Sequence, residues 1–221
     1  MRPYIIHRRL TCVLQAILAI EIVFAIWEQQ WLTAVITLGI SGITLGPFFV
    51  RKFFRVCIPP EFVLLGITFV FASLFLGEVH GYYSRFWWWD IALHSGSGFG
   101  LGIIGFLLVY VLNENENIGV HMNPGFVALF AFLFAVGIGA LWEIFEFSMD
   151  SLLKTNMQKA MLGDPSGLTD TMWDLIVDTL GALLISVLGY GYIKTAQSES
   201  FLERWIHAFI SSNPHLFNKS R

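Results

Sequence analysis

The chain has 221 residues, of which 56% are hydrophobic, 16% aromatic and only 13% charged, against a charged share of about 25% in ordinary soluble domains. With 21 phenylalanines and a mean hydropathy of +0.67, the chain carries more apolar surface than one core of this size can hide, so much of it must face lipid. That speaks against a soluble enzyme, and a formal charge of −3 gives no electrostatic ground for binding nucleic acid.

A spanning helix needs about 20 mainly apolar residues. Six segments meet that length: Leu10 to Trp27, Trp31 to Val50, Phe62 to Val79, Trp88 to Leu112, Phe126 to Met149 and Met172 to Tyr192. Arg2, Arg8 and Arg9 precede the first, but it runs into Glu28-Gln29-Gln30-Trp31 without a small-x-small cleavage pattern, so it reads as a retained span. Cys12 and Cys57 are isolated and lack CxxC spacing, which suggests neither a zinc knuckle nor a disulfide. The expected fold is an all-α polytopic membrane bundle over residues 1–195, followed by a tail over 196–221. In that tail Phe201, Leu202, Trp205, Ile206, Phe209 and Ile210 share a helical face opposite Glu203, Arg204 and His207, the pattern of an interfacial amphipathic helix.

Lys and Arg are retained on the cytoplasmic side, and an even number of spans puts both termini on one side. Arg2, Arg8, Arg9, Arg51, Lys52, Arg55, Lys194, Arg204, Lys219 and Arg221 fall on that side, while Arg85, Lys154 and Lys159 fall opposite. Ten against three predicts cytoplasmic termini in a plasma membrane. Between the fourth and fifth segments lies the polar turn Asn113-Glu114-Asn115-Glu116-Asn117, with His121 after it. Between the fifth and sixth, Asp150 to Thr171 contains Gly163-Asp164-Pro165-Ser166-Gly167, which reads as an ordered cap or short re-entrant element.

This topology gathers acids at one level. The fourth segment enters from the outer face with Asp90 and His94, the fifth leaves with Glu143, Glu146 and Asp150, and the sixth opens with Asp170, Asp174 and Asp178. Three- and four-residue steps keep each set on one helical face. An acid at mid-membrane costs roughly 2.5–3.5 kcal/mol on insertion scales, and clustered carboxylates repel unless a cation or shared protons intervene. The economical answer is a divalent metal held by Asp90, His94, Glu143, Glu146, Asp174 and Asp178, its identity open among Mg, Mn, Ca, Fe and Zn. Glu143 and Asp170 are the acids expected to act in catalysis.

Blander readings compete. Asp90, Asp170 and Asp174 fit helix caps or dipole partners. Glu143 and Glu146, placed by the pattern near a helix C-terminus, do not, and Asp178 lies beyond the first turn. A metal-free, proton-sharing carboxylate network is the harder alternative. Glu21, and Glu78 with His80, could complete the site or face the water film, the blander reading being preferred. Trp87-Trp88-Trp89 reads first as an interfacial aromatic belt and second as the flank of an entrance for a lipid or isoprenoid chain, and Gly96, Gly98, Gly100 and Gly102 read as packing residues rather than a phosphate-binding loop.

Three motifs carry a family likeness: Trp89-Asp90-x3-His94-x3-Gly98-Phe99-Gly100, Trp142-Glu143-x2-Glu146-Phe147, and Asp170-Thr171-Met172-x-Asp174-Leu175-x2-Asp178-x2-Gly181. In this order they resemble the YjdF-like group of six-span bacterial membrane proteins, and more distantly VanZ-like proteins, over roughly residues 60–190. The resemblance implies the span count and a bacterial inner membrane; it implies no activity.

Two functions fit these residues. One is a metal-dependent hydrolase or transferase acting at the outer leaflet on a membrane lipid or lipid-linked substrate. The other is a cation or proton transporter using the same acids. The apolar stretches Leu101 to Val111, Phe126 to Val136 and Leu183 to Leu188 hold no acid, base or histidine, a dead end for a conducting path. An assembly or chaperone role and the oligomeric state stay open.

Overall fold

The computed structural model describes residues 2–54, 56–114, 122–195 and 201–214. Arg55, residues 115–117 of the polar turn, His121, Lys219 and Arg221 lie outside them, as do the side chains of Arg2, Arg8, Phe201, Leu202, Glu203, Arg204, Ile206 and His207. The described chain is helical, with a single isolated bridge between Met161 and Asp164.

Helix α1, Arg2–Trp27, ends where Gln29 takes the left-handed conformation (φ 59°). Gln30 N donates to Ala25 O and Gln29 N to Ile26 O, the Schellman pair that satisfies the last carbonyls. The second segment, expected as one span, is broken into α2, Trp31–Thr44, and α3, Gly46–Phe54, which bend by 44° at Leu45. Pro47 explains the break, because it has no N–H to donate and its ring crowds the preceding turn.

Helix α4, Pro60–Val70, begins with Pro at its first position, where a missing N–H costs nothing. It continues into a π-helical stretch, Phe71–Val79, that no periodicity in the sequence announces. The short α5, Tyr82–Arg85, follows Gly81, whose φ of 68° favours glycine. Helices α6, Trp89–Glu114, α7, Pro124–Leu153, and α8, Leu168–Thr195, form the long hairpins, and α9 is Phe201–Ser212. Asn123 starts α7 by accepting a hydrogen bond from Phe126 N (2.8 Å), with Pro124 behind it. Among the described residues, five helical stretches are long and apolar enough to cross a membrane, and the bent α2–α3 pair makes a sixth if it counts as one span.

The chain divides into two compact units, a first formed by Met1–Trp89 with His207–Pro214 and a second that contains Asp90–Ile206. Lipid is as apolar as leucine, so helices inside a bilayer associate through close packing and polar pairs. In the first unit Leu18, Ile40 and Phe75 form the buried centre. Gln15 joins α1 to α2, donating to Thr44 Oγ1 (2.5 Å) and accepting from Ser41 Oγ (2.6 Å). The fully buried Asn213, just past α9, accepts from Cys57 N (2.6 Å) and donates to Cys57 O and Phe209 O (2.8 Å each). Both cysteines are free thiols.

The second unit is turned inside out relative to a soluble protein. Asp174 is 1% exposed and Glu143 3%, whereas Leu141 is 62% and Leu180 59%. Only an apolar solvent makes that distribution favourable. Two of the four alternating glycines of α6 serve close packing: a Cβ at Gly98 would stand 2.2 Å from Asp178 O, and one at Gly102 2.2 Å from Ile185 Cγ2. Gly96 and Gly100 meet nothing within 4 Å, so the expected packing role holds for one face of α6.

Candidate functional site

The N-terminal end of α6, the C-terminal half of α7 and the N-terminal half of α8 bring Asp90, His94, Glu143, Asp174 and Asp178 around one imidazole. His94 is the hub. Its Nδ1 lies 3.2 Å from Asp178 Oδ2 and 3.9 Å from Glu143 Oε1; its Nε2 lies 3.6 Å from Asp90 Oδ1 and 3.8 Å from Asp174 Oδ2. The imidazole therefore bridges two tiers, with Asp90 and Asp174 one helical turn from the pair formed by His94 and Asp178. Glu146 is buried one turn from Glu143, beside the Trp142 indole.

The helix ends differ from those expected. α7 runs on to Leu153, so Glu143 sits ten residues, about 15 Å, inside the helix. Its burial, not the helix dipole, is what makes its charge costly. α8 begins at Leu168, which places Asp174 and Asp178 well past the first turn and beyond any capping role.

The carboxylates are satisfied unequally. Asp178 is fully engaged: Ser97 Oγ lies 2.5 Å from its Oδ1, and Oδ2 faces His94. Ser97 Oγ also lies 2.8 Å from His94 O, so its one proton is shared between the two acceptors. Neither oxygen of Asp174 nor of Glu143 receives a hydrogen bond, although all four are buried; Thr171 lies beside Glu143 at longer range. Buried carboxylate oxygens that accept no hydrogen bond, with the His94 imidazole at 3.8–3.9 Å, are costly without a cation or a proton. Asp90, His94 and Asp174 each offer a ligand atom within 4.8 Å of the other two.

Asp170 has a different environment. Its Oδ2 accepts from Lys159 N (2.7 Å), tying α8 to the connection from α7. Asp150 at the end of α7 accepts from Thr155 Oγ1, Met157 N and Gln158 N, and Gln158 Nε2 donates to Thr171 Oγ1. Asp164 accepts from the backbone and hydroxyl groups of both Ser166 and Thr169. The Ser166 hydroxyl, with these other donors, holds its carboxyl below the usual carboxylate range. The connection is thus an ordered cap pinned by three aspartates. His80 packs edge-on against Phe75 at 4.6 Å. Trp88 and Trp89 pack at 5.5 Å within the aromatic cluster before Asp90, and Trp87 is 80% exposed.

Sequence reasoning did not find Ser97 or Gly139. Ser97 follows His94 by three residues, a spacing that could have signalled it. Gly139 matters because a Cβ there would lie 2.7 Å from Asp178 Oδ2, a contact that only the packed helices reveal.

An all-helical chain with apolar faces outside and acids inside defines an integral, multi-pass membrane protein. The chain belongs to the family described as "Predicted membrane protein (DUF2238)", whose model matches residues 8–195. It is similar to an uncharacterized protein of Thermotoga maritima, 33% identical over 188 residues that cover 83% of this chain and 90% of the relative. No solved structure matches the chain significantly.

Proposed function

We propose that this is a divalent-metal enzyme of the bacterial inner membrane, a hydrolase or transferase whose metal is held by Asp90, His94 and Asp174. The observation that carries the reading is the pair of buried Asp174 oxygens that accept no hydrogen bond, one of them 3.8 Å from His94 Nε2. Three ligand groups leave coordination positions free for water and substrate, as in catalytic rather than structural sites. A mixed oxygen and imidazole set suits Mg, Mn, Fe or Zn. The metal would supply an activated water, and Glu143 a base to take its proton.

An apolar groove of about 440 Å³ runs between α6 and α8, lined by Ser95, Gly96, Phe99, Val177, Leu180, Gly181 and Leu184. Ser95 and Val177 are chain neighbours of His94 and Asp178, so a lipid's hydrocarbon chain in this groove would lie along the same two helices that carry the acids. Transport is disfavoured because Ile103, Phe106 and Ile185 are buried on α6 and α8 beyond Asp178 and the buried polar group beside them, Ser186, carries no charge, so no titratable group continues the path along residues 183–188. The positions of Arg and Lys in the sequence put the termini in the cytoplasm and the cluster toward the outer leaflet.

Elemental analysis of detergent-purified protein tests the reading. Wild type should carry about one equivalent of a divalent metal, Asp174→Ala and His94→Ala none, and Glu143→Gln should keep the metal while losing turnover. A metal-free wild type, or Asp174→Ala that retains the ion, would overturn it.

A further inference from the structure

We propose that Asp178 is a positioning residue rather than a metal ligand, and that with Ser97 and Gly139 it presents His94 Nε2 to the metal. The inference rests on the metal reading above and assigns the inner tier of the cluster a separate task.

The two ring nitrogens of His94 face different chemistry. Nδ1 has a partner at hydrogen-bond distance, Asp178 Oδ2 at 3.2 Å. Nε2 faces Asp90 Oδ1 at 3.6 Å and Asp174 Oδ2 at 3.8 Å. Those separations are too long for hydrogen bonds, but they approach the donor–donor edge of about 3.4 Å that a tetrahedral ion with ligand distances of about 2.0–2.1 Å requires. A metal-bound histidine almost always donates its other N–H to a carboxylate or carbonyl, which sets its tautomer and ring orientation. Asp178 stands where that carboxylate belongs.

Asp178 also differs from Asp174 in what its oxygens already do. Both oxygens of Asp178 are occupied, one by Ser97 and the other by His94, while both of Asp174 are without donors. The surrounding backbone is cut to fit Asp178: a Cβ at Gly98 would strike its carbonyl oxygen, and one at Gly139 would stand 2.7 Å from the Oδ2 that faces the imidazole. Gly139→Ala therefore disturbs the carboxylate without removing any group of the cluster.

The test is titration of metal-stripped wild type, Asp174→Ala, Asp178→Ala, Asp178→Asn and Gly139→Ala with Co(II) in detergent, following the visible ligand-field bands. Wild type should bind one equivalent and Asp174→Ala none. Asp178→Ala should still reach one equivalent at saturation, with Kd raised about 10–100-fold. Asp178→Asn, whose amide oxygen can still accept from Nδ1, should recover most of the affinity and the wild-type spectrum. Gly139→Ala, the variant to use should Asp178→Ala fail to fold, should weaken binding without loss of stoichiometry. Loss of stoichiometric metal in Asp178→Ala would make Asp178 a ligand and overturn the proposal. Unchanged Kd in Asp178→Ala and Gly139→Ala, or Asp178→Asn no better than Asp178→Ala, would overturn it equally. A wild type that binds no Co(II) would instead defeat the metal reading, and this inference with it.

Discussion

Replacing Gly98 by alanine would place a methyl group 2.2 Å from the carbonyl oxygen of Asp178 and 2.8 Å from its Cα. These are backbone atoms of α8, so no rotamer change relieves the clash. Ordinary contact begins at 3.4 Å, so the helices must part locally by about 1.2 Å. Carried one turn along to the 3.2 Å hydrogen bond between His94 and Asp178, that displacement stretches it to about 4.4 Å, beyond hydrogen bonding. Overpacking of this kind costs roughly 1–3 kcal/mol, against a gain of about 1 kcal/mol from replacing glycine within a helix. Gly100, two residues on, meets nothing within 4 Å, so Gly100→Ala keeps the gain without the clash. Thermal unfolding of both variants in one detergent should place Gly98→Ala below Gly100→Ala by about 1–3 kcal/mol. Equal stability would refute the close approach of α6 and α8 as the reason for glycine at 98.

Asn213→Ala should remove the side chain that pairs the half-buried N–H and C=O of Cys57, costing about 0.5–1.5 kcal/mol per hydrogen bond. It should also raise protease cleavage near α9, read by limited proteolysis in micelles. The Asp164 carboxyl is held below the usual range, so its contribution to the cap is complete above the unfolded aspartate value of about 3.9 and is lost as pH falls through the lower folded value. Because that carboxyl stays ionised, exchange protection of the Ser166 and Thr169 amides should not change with pH between about pH 5 and 8, and Asp164→Ala should abolish it throughout. Reporters active only in the cytoplasm or only outside, fused after Arg221 and within 155–165, should give opposite signals, cytoplasmic at the C-terminus. An outside C-terminal signal would reverse the membrane sidedness of every acid.

Much of the architecture was legible in the chain because lipid imposes a simple rule: a long apolar run must close its own backbone hydrogen bonds and so forms a helix. Segment count, the burial of acids against exposed leucines, and the family likeness follow from residue type and order alone. The same periodicity put Asp90 and His94, Glu143 and Glu146, and Asp174 and Asp178 on shared faces. Helix breaks were harder, since Pro47 can kink a span or end it, and the π-helical stretch Phe71–Val79, in which Phe75 is buried and Gly77 lies against the Tyr83 ring, has no signature in residue order. Distance between helices was invisible, and it separates residues that look alike in sequence. Asp174 and Asp178 are both buried acids on one face of α8, yet Ser97 and His94 satisfy Asp178 while Asp174 is left without a donor. That difference arises from side chains on α6 and the space at Gly139 on α7, and only the tertiary structure brings them to the same few ångströms.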